Sequence, residues 1–174
     1  YTHLDLMIGK NEKYKIIDDY LSIEEYESCW NFVTKVATYQ AGEKDHHNSY
    51  QVGMVSELSV DHGNTFLLFP KHIHGSKLNR MYVNYYSPRE LSAFHIDSND
   101  PNAYTLLYYP CPTYAPDEGG TTELEMDGEI LGVRSVANRL LIFKSDIPHR
   151  ATPFRSHQRY TFALKYTNLQ DIGI

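Results

Sequence analysis

In the second half of the chain, apolar residues fall on alternate positions, the period of a strand with one buried face. Between Arg80 and Tyr86, the residues Met81, Val83 and Tyr85 share one face. Further runs of this kind are Ala103 to Tyr109, Thr121 to Met126, Glu129 to Val133, Arg139 to Lys144 and Arg159 to Tyr166. Turn-forming stretches separate them: Ser87-Pro88-Arg89-Glu90, Asp100-Pro101-Asn102, Pro116 to Gly120, Asp127-Gly128, Ala137-Asn138 and Asp146-Ile147-Pro148. Short strands at this spacing predict a sandwich or barrel. With a helix at one end, the pattern fits a jelly roll, mainly β with flanking helices.

The first part reads differently. Tyr14 to Leu21 is a short strand leading into a helix. Ser22 and Glu25 have the spacing of a capping box, in which each side chain satisfies the other's backbone N–H. Tyr26, Trp30, Val33 and Ala37 then recur at helical spacing. This predicts a helix from about Ile23 to Tyr39, packed on the sheet, with Trp30 as a core anchor. Ala41 to Ser49, with His46-His47, reads as a solvated loop. Thr65 to Pro70 is an apolar segment ended by proline. His72-Ile73-His74 could chelate a metal on one strand face, but no third ligand stands out, so a loop or strand edge near a pocket mouth is preferred. No repeat or linker interrupts the chain. The expected organisation is a single domain over 1–174, with the N-terminal strand and helices in about 1–78 and the jelly-roll core in about 79–168.

Composition narrows the function. Hydrophobic content of 41% and charged content of 22% fit a soluble globular protein. No apolar run approaches the ~18 residues of a membrane span. A formal charge of −6 argues against non-specific nucleic-acid binding. Cys29 and Cys111 lie far apart, in no metal-like spacing, and are expected to be reduced thiols of a reducing, cytoplasmic compartment. The 15 tyrosines suit half-buried strands and a polar-tipped pocket.

The candidate chemistry centres on Ala93-Phe94-His95-Ile96-Asp97. Read as a strand, it places His95 and Asp97 on one face and Phe94 and Ile96 on an apolar opposite face. With 9 histidines in the chain, His-x-Asp alone is weak, and His3-Leu4-Asp5 also matches. A second imidazole would complete a two-histidine, one-carboxylate facial triad with open positions for iron(II). His149, after the strand Leu140 to Lys144 and the turn to Pro148, is the candidate. Arg159 opens the last strand and shares a face with Thr161 and Ala163, while Tyr160, Phe162 and Leu164 form the core face. A cation followed by small residues leaves room for a bound carboxylate, which the planar guanidinium grips with two hydrogen bonds. Arg155, in a turn, is the competing cation.

Together, His95-x-Asp97, His149 and Arg159-x-Thr161 resemble the pattern of the iron(II)- and 2-oxoglutarate-dependent oxygenases, most nearly their prolyl 4-hydroxylase-like branch. Thr105-Leu106-Leu107-Tyr108-Tyr109 resembles the family strand whose second tyrosine meets the co-substrate. Glu118-Gly119-Gly120-Thr121-Thr122-Glu123-Leu124 resembles its Gly-Gly strand, and Leu141 to His149 resembles the strand carrying the distal histidine. The match runs from about Asn79 to Asn168. Thr161 stands where the family usually has serine, and keeps the hydroxyl.

The resemblance implies a double-stranded β-helix, cupin-like core. It implies that His95, Asp97 and His149 hold catalytic iron(II). It implies that 2-oxoglutarate chelates the metal and sets its far carboxylate on Arg159, helped by Tyr109 and Thr161. Either Tyr85 or Tyr86 would line that pocket; Tyr85 is favoured because it shares a face with Val83 and Met81. O2 is the oxidant and ascorbate a reductant. The expected reaction hydroxylates an unactivated C–H bond of a peptide or small molecule, foremost a peptidyl proline, and releases succinate and CO2. Oligomeric state is not legible. Two other readings stay open: a non-catalytic jelly roll binding peptide or sugar, and a zinc hydrolase, which would want a general base and leave Arg159 unexplained.

Overall fold

The computed structural model describes residues 13–42, 52–60 and 76–168. The expectations for His3-Leu4-Asp5, His46-His47, Thr65 to Pro70 and His72-Ile73-His74 lie outside the described residues. The elements are β1 (Tyr14–Ile17), α1 (Ile23–Asn31), β2 (Gln40–Ala41), β3 (Met54–Leu58), β4 (Lys77–Tyr86), β5 (Ala103–Tyr109), β6 (Thr121–Met126), β7 (Glu129–Arg134), β8 (Arg139–Lys144), β9 (His149–Ala151) and β10 (Arg159–Thr167).

They form a seven-stranded sheet, ordered β1-β8-β5-β10-β4-β3-β2, and a three-stranded sheet, β7-β6-β9. Strands distant in sequence are neighbours, as in a jelly roll: β10 lies between β5 and β4, each pairing antiparallel. One face of the large sheet carries Met81, Val83, Leu106, Tyr108, Phe162 and Leu164 toward α1. The other carries Leu107, Tyr109, Leu141, Phe143 and Ala163 toward Leu124 and Val133 of the small sheet. All of β5 is buried because both of its faces are covered.

The expected capping box is present. Ser22 Oγ accepts from Glu25 N at 3.2 Å, and Glu25 Oε2 accepts from Ser22 N at 3.0 Å. The helix ends sooner than its periodicity suggests. After Asn31 it widens into a π turn over Phe32–Val36, and Ala37 is already extended. Thr34 donates back to the Trp30 carbonyl at 2.7 Å, the back-bonding that loosens a helix. Tyr39, expected to be helical, instead donates its hydroxyl to Val33 O at 2.8 Å. Trp30 meets Tyr160 edge-on, as a core anchor should. Strand β3 escaped the sequence pattern because it is short and its buried pair, Val55 and Ser56, are adjacent rather than alternate.

The larger correction concerns the His95 segment. It is not a strand but a single bridge, His95 to His149. The ladder stops because Asp97 N and Ser98 N both turn to the Ser145 carbonyl, at 2.9 and 3.2 Å. The face carrying Phe94 and Ile96 is not core: Ile96 is 42% exposed, and the Phe94 ring lies under the Arg150 guanidinium.

Gly119 and Gly120 both have positive φ, which a side chain strains. A Cβ at Gly120 would also run into the Phe154 ring, a fully buried side chain. Gly128, also at positive φ, closes the Asp127-Gly128 hairpin, where a Cβ would meet nothing. Gly120→Ala is therefore expected to destabilise the fold by about 2–4 kcal/mol and Gly128→Ala by only about 1 kcal/mol. Urea unfolding of the two variants checks this; equal losses would mean that the Phe154 contact does not matter.

Candidate metal centre and anion pocket

The bridge that replaced the expected strand builds the site. His95 N donates to His149 O at 3.0 Å and His149 N to His95 O at 2.9 Å. This is the closed pair of an antiparallel ladder, so the two imidazoles emerge side by side. Their ring centroids are 4.4 Å apart. Asp97, whose N–H donates to the Ser145 carbonyl, brings its carboxylate up to the Nε2 atoms of both. One ligating atom each of His95, Asp97 and His149 lies within 4.8 Å of the others. The sequence-predicted triad thus converges.

The outer nitrogens settle the tautomers. His95 Nδ1 lies 3.1 Å from Ala93 O and His149 Nδ1 lies 2.8 Å from Ile147 O. A carbonyl only accepts, so each Nδ1 carries the proton, and each Nε2 turns a lone pair inward. His149 Nε2 is 3.3 Å from Asp97 Oδ2, and His95 Nε2 is 3.7 Å from Asp97 Oδ1. Lone pairs facing a carboxylate repel unless a cation or proton lies between them. A divalent metal satisfies all three groups at once, and the donor set suits iron(II).

Burial and charge fit this. Desolvation, and then the neighbouring His149, push the His95 imidazole below its ordinary value, keeping it neutral and able to ligate. Burial alone would raise the Asp97 carboxyl. Lys165 works against this by its charge and its hydrogen bond, and the group is held well below the usual carboxylate range. Thr105 Oγ1 donates to Asp97 Oδ2 at 2.6 Å and lies 3.0 Å from Ser145 Oγ. Lys165 Nζ donates to the same oxygen. His149 is packed edge-on against the buried Phe143 ring.

The anion pocket lies on the same face of the large sheet. Arg159 is 1% exposed, yet no carboxylate pairs with it among the described residues. Its Nη2 donates to Thr122 Oγ1 at 3.0 Å, which also accepts from Tyr109 Oη at 2.7 Å. Its Nε, and Thr161 Oγ1, are buried without a hydrogen-bond partner among the described residues. A buried guanidinium short of acceptors, beside an unpaired hydroxyl, has the chemistry to hold an anion. Arg155, the competing cation, is a surface side chain 3.8 Å from Asp117.

One expected pocket residue is misplaced. Tyr85 pairs with Tyr160, on the face opposite Arg159, and its ring packs on Tyr39 and Tyr160 in the helix-side core. Tyr86 is the register partner of Arg159. Burial pushes the Tyr86 phenol up, and the Arg159 charge partly offsets this. Tyr85 does share a face with Met81 and Val83, but that is the core face. Three further residues escaped attention: Thr122, Thr105 and Lys165. Lys165 could have been found, because it continues the Arg159-Thr161-Ala163 alternation by one more step.

No family model and no curated protein matches the sequence. Solved structures do match. A prolyl hydroxylase from Trichoplax adhaerens, in complex with a hypoxia inducible factor oxygen degradation domain peptide fragment, superposes with a TM-score of 0.68 at 18% identity, over 92% of this chain and 86% of that one. The viral collagen prolyl hydroxylase of Paramecium Bursaria Chlorella virus-1, a 2OG complex, gives 0.62 at 16%, over 92% and 98%. HygX from Streptomyces hygroscopicus, with nickel, 2-oxoglutarate and hygromycin B bound, gives 0.63 at 11%, over 89% and 82%. The chain therefore has the jelly-roll fold of the prolyl hydroxylases and other 2OG-Fe(II) oxygenases. Among the described residues, no helix is long and apolar enough to cross a membrane.

His149→Ala is expected to abolish binding of one equivalent of Co(II), followed by its visible absorption. His157→Ala, which removes an imidazole bound to Glu118 in the β9–β10 loop, should leave it unchanged. Retained Co(II) binding in His149→Ala would break the assignment.

Proposed function

We propose that this protein is an iron(II)- and 2-oxoglutarate-dependent oxygenase that hydroxylates an unactivated C–H bond. The observation that carries this reading is Arg159: a buried guanidinium with an unpartnered Nε, next to an unpartnered Thr161 hydroxyl, on the sheet face that also holds the His95–Asp97–His149 cluster. A metal site alone would suit many reactions. A metal site with a buried anion pocket behind it suits a chelating dicarboxylate.

His95 Nε2, His149 Nε2 and Asp97 would hold the iron. When bound, iron and 2-oxoglutarate together would activate O2 and supply the oxidising chemistry. The chain supplies the rest. Arg159 and Thr161 bind and orient the far carboxylate, and Thr122 fixes the guanidinium. Tyr109, fully buried with its hydroxyl tied to Thr122, closes the pocket wall. Leu107, Leu141, Phe143 and Ala163 keep the inner wall dry. His95 stands at the mouth with its side chain 44% exposed, so a substrate would approach from that side.

For the substrate, a prolyl residue in a peptide is the first candidate. It is supported by the likeness to two prolyl hydroxylases, one of them seen with a peptide fragment. A small molecule is the alternative, supported by the likeness to HygX with hygromycin B. O2 would be the oxidant and ascorbate a reductant that keeps the iron ferrous.

The test is succinate formed from 2-oxoglutarate with Fe(II) and O2, assayed against proline-containing peptides and small molecules. His95→Ala and Asp97→Ala should reduce it to background; turnover at the wild-type rate in either would overturn the reading. Arg159→Lys keeps a charge but loses the fork, and should raise KM for 2-oxoglutarate about a hundredfold while Co(II) still binds. Tyr86→Phe should raise that KM by a smaller factor and Tyr85→Phe should leave it unchanged.

A further inference from the structure

Lys165 is the group that neither the triad nor the anion pocket explains. It lies on β10 at the fourth alternate position of the inward face, after Arg159, Thr161 and Ala163. Its side chain is 17% exposed, and it makes an ion pair with Asp97 Oδ2, whose side chain is 10% exposed. The placement is built into the fold. The ammonium lies 5.6 Å from the centroid of the Tyr82 ring. That ring also receives Arg80, at 4.3 Å, which is itself paired with Glu57. Asp97 Oδ2 carries Thr105 and Lys165 as donors and also faces His149, while Oδ1 faces His95.

The charges at this spot set the consequence. Two neutral imidazoles and one carboxylate sum to −1. Lys165 brings the cluster to zero before any metal enters. A divalent cation then raises it to +2, in a buried setting where like charges are felt strongly. Arg159 adds a further positive charge on the same strand face. A chelating dianion removes two charges and relieves that repulsion.

On the reading of His95, Asp97 and His149 as a divalent-metal site, we propose that Lys165 is a positioning residue that acts as a built-in counter-ion. It holds Asp97 through Oδ2 before metal arrives, competes electrostatically with the metal for that carboxylate, and so makes tight metal binding depend on the dicarboxylate co-substrate. By linkage, the metal strengthens dicarboxylate binding by the same factor.

The experiment titrates chelator-treated full chain with Mn(II), free ion being counted by electron paramagnetic resonance, with and without 2-oxoglutarate. Wild type is compared with Lys165→Met, Lys165→Gln and Lys165→Arg. Methionine removes charge and hydrogen bond, glutamine removes only the charge, and arginine keeps both. The expected result is that K165M and K165Q bind Mn(II) alone about tenfold or more tightly than wild type. Their gain from 2-oxoglutarate should shrink by a similar factor, and K165R should follow wild type. Without metal, the thermal midpoints of K165M and K165Q should fall, because a buried carboxylate has lost its cation; saturating Mn(II) should restore them. A merely structural lysine would lower the midpoint equally with and without metal, and that outcome overturns the inference. So does a K165Q that binds Mn(II) like wild type, which would leave a hydrogen bond as the only role. Should K165M fail to fold, K165Q decides alone. Wild type that binds no Mn(II) under either condition would instead sink the metal-site reading, and this inference with it.

Discussion

The two backbone hydrogen bonds between His95 and His149 are the constraint from which the site follows. Each histidine is useless alone: one sits in a connection, the other begins a short strand of the small sheet. Pairing them as a closed antiparallel couple fixes both imidazoles on the same side at ladder distance. The same couple ends the ladder, since Asp97 and Ser98 then both donate to Ser145 O. That turn brings the carboxylate back to the Nε2 edge of both rings. A regular strand would have kept Asp97 two residues along and farther from His149. The break in regular structure is thus what makes the cluster compact.

Charge placement then divides the interior into two ends. Strand β10 rises about 3.3 Å per residue, so Arg159 and Lys165 are separated by roughly 20 Å of backbone, with Thr161 and Ala163 between them. Both long side chains reach inward, one to Thr122 and the other to Asp97. The small residues between them leave the space that two cations enclose. Buried cations without matched acids are costly. Here one is matched by Asp97 and the other, among the described residues, is left short of acceptors.

Much of this was legible in the chain because strands reveal themselves by parity. Parity put Arg159, Thr161 and Ala163 on one face and Tyr160, Phe162 and Leu164 on the other, and the structure keeps that division. The bounds of β6 follow from alternation, and those of β5 and β8 from apolar runs closed off by turn residues. Parity says which residues share a face, but not which face meets the site. Tyr85 was assigned to the pocket for that reason. Only the register, Tyr86 against Arg159 and Tyr85 against Tyr160, decides it. The π turn after α1 was hidden as well, since helical periodicity in Tyr26, Trp30 and Val33 persists to the point where the winding changes.

Lys165 shows what parity offers when it is followed to its end. A lysine near the end of a mostly buried strand reads as a charge reaching for solvent, and long side chains commonly do so. Continuing the inward face by one step would have placed it beside Thr105 of the neighbouring strand, its register partner across the sheet. Thr105 in turn holds Asp97. The threonine, the lysine and the carboxylate therefore belong to one unit, assembled from two paired strands and a turn. A cation placed there changes what the cluster is before any ligand arrives: a neutral arrangement that keeps its shape, rather than a bare negative pocket that any divalent ion could enter. Selectivity for the loaded, dicarboxylate-bound state would then come from repulsion designed into the strand, and not from an extra attractive contact.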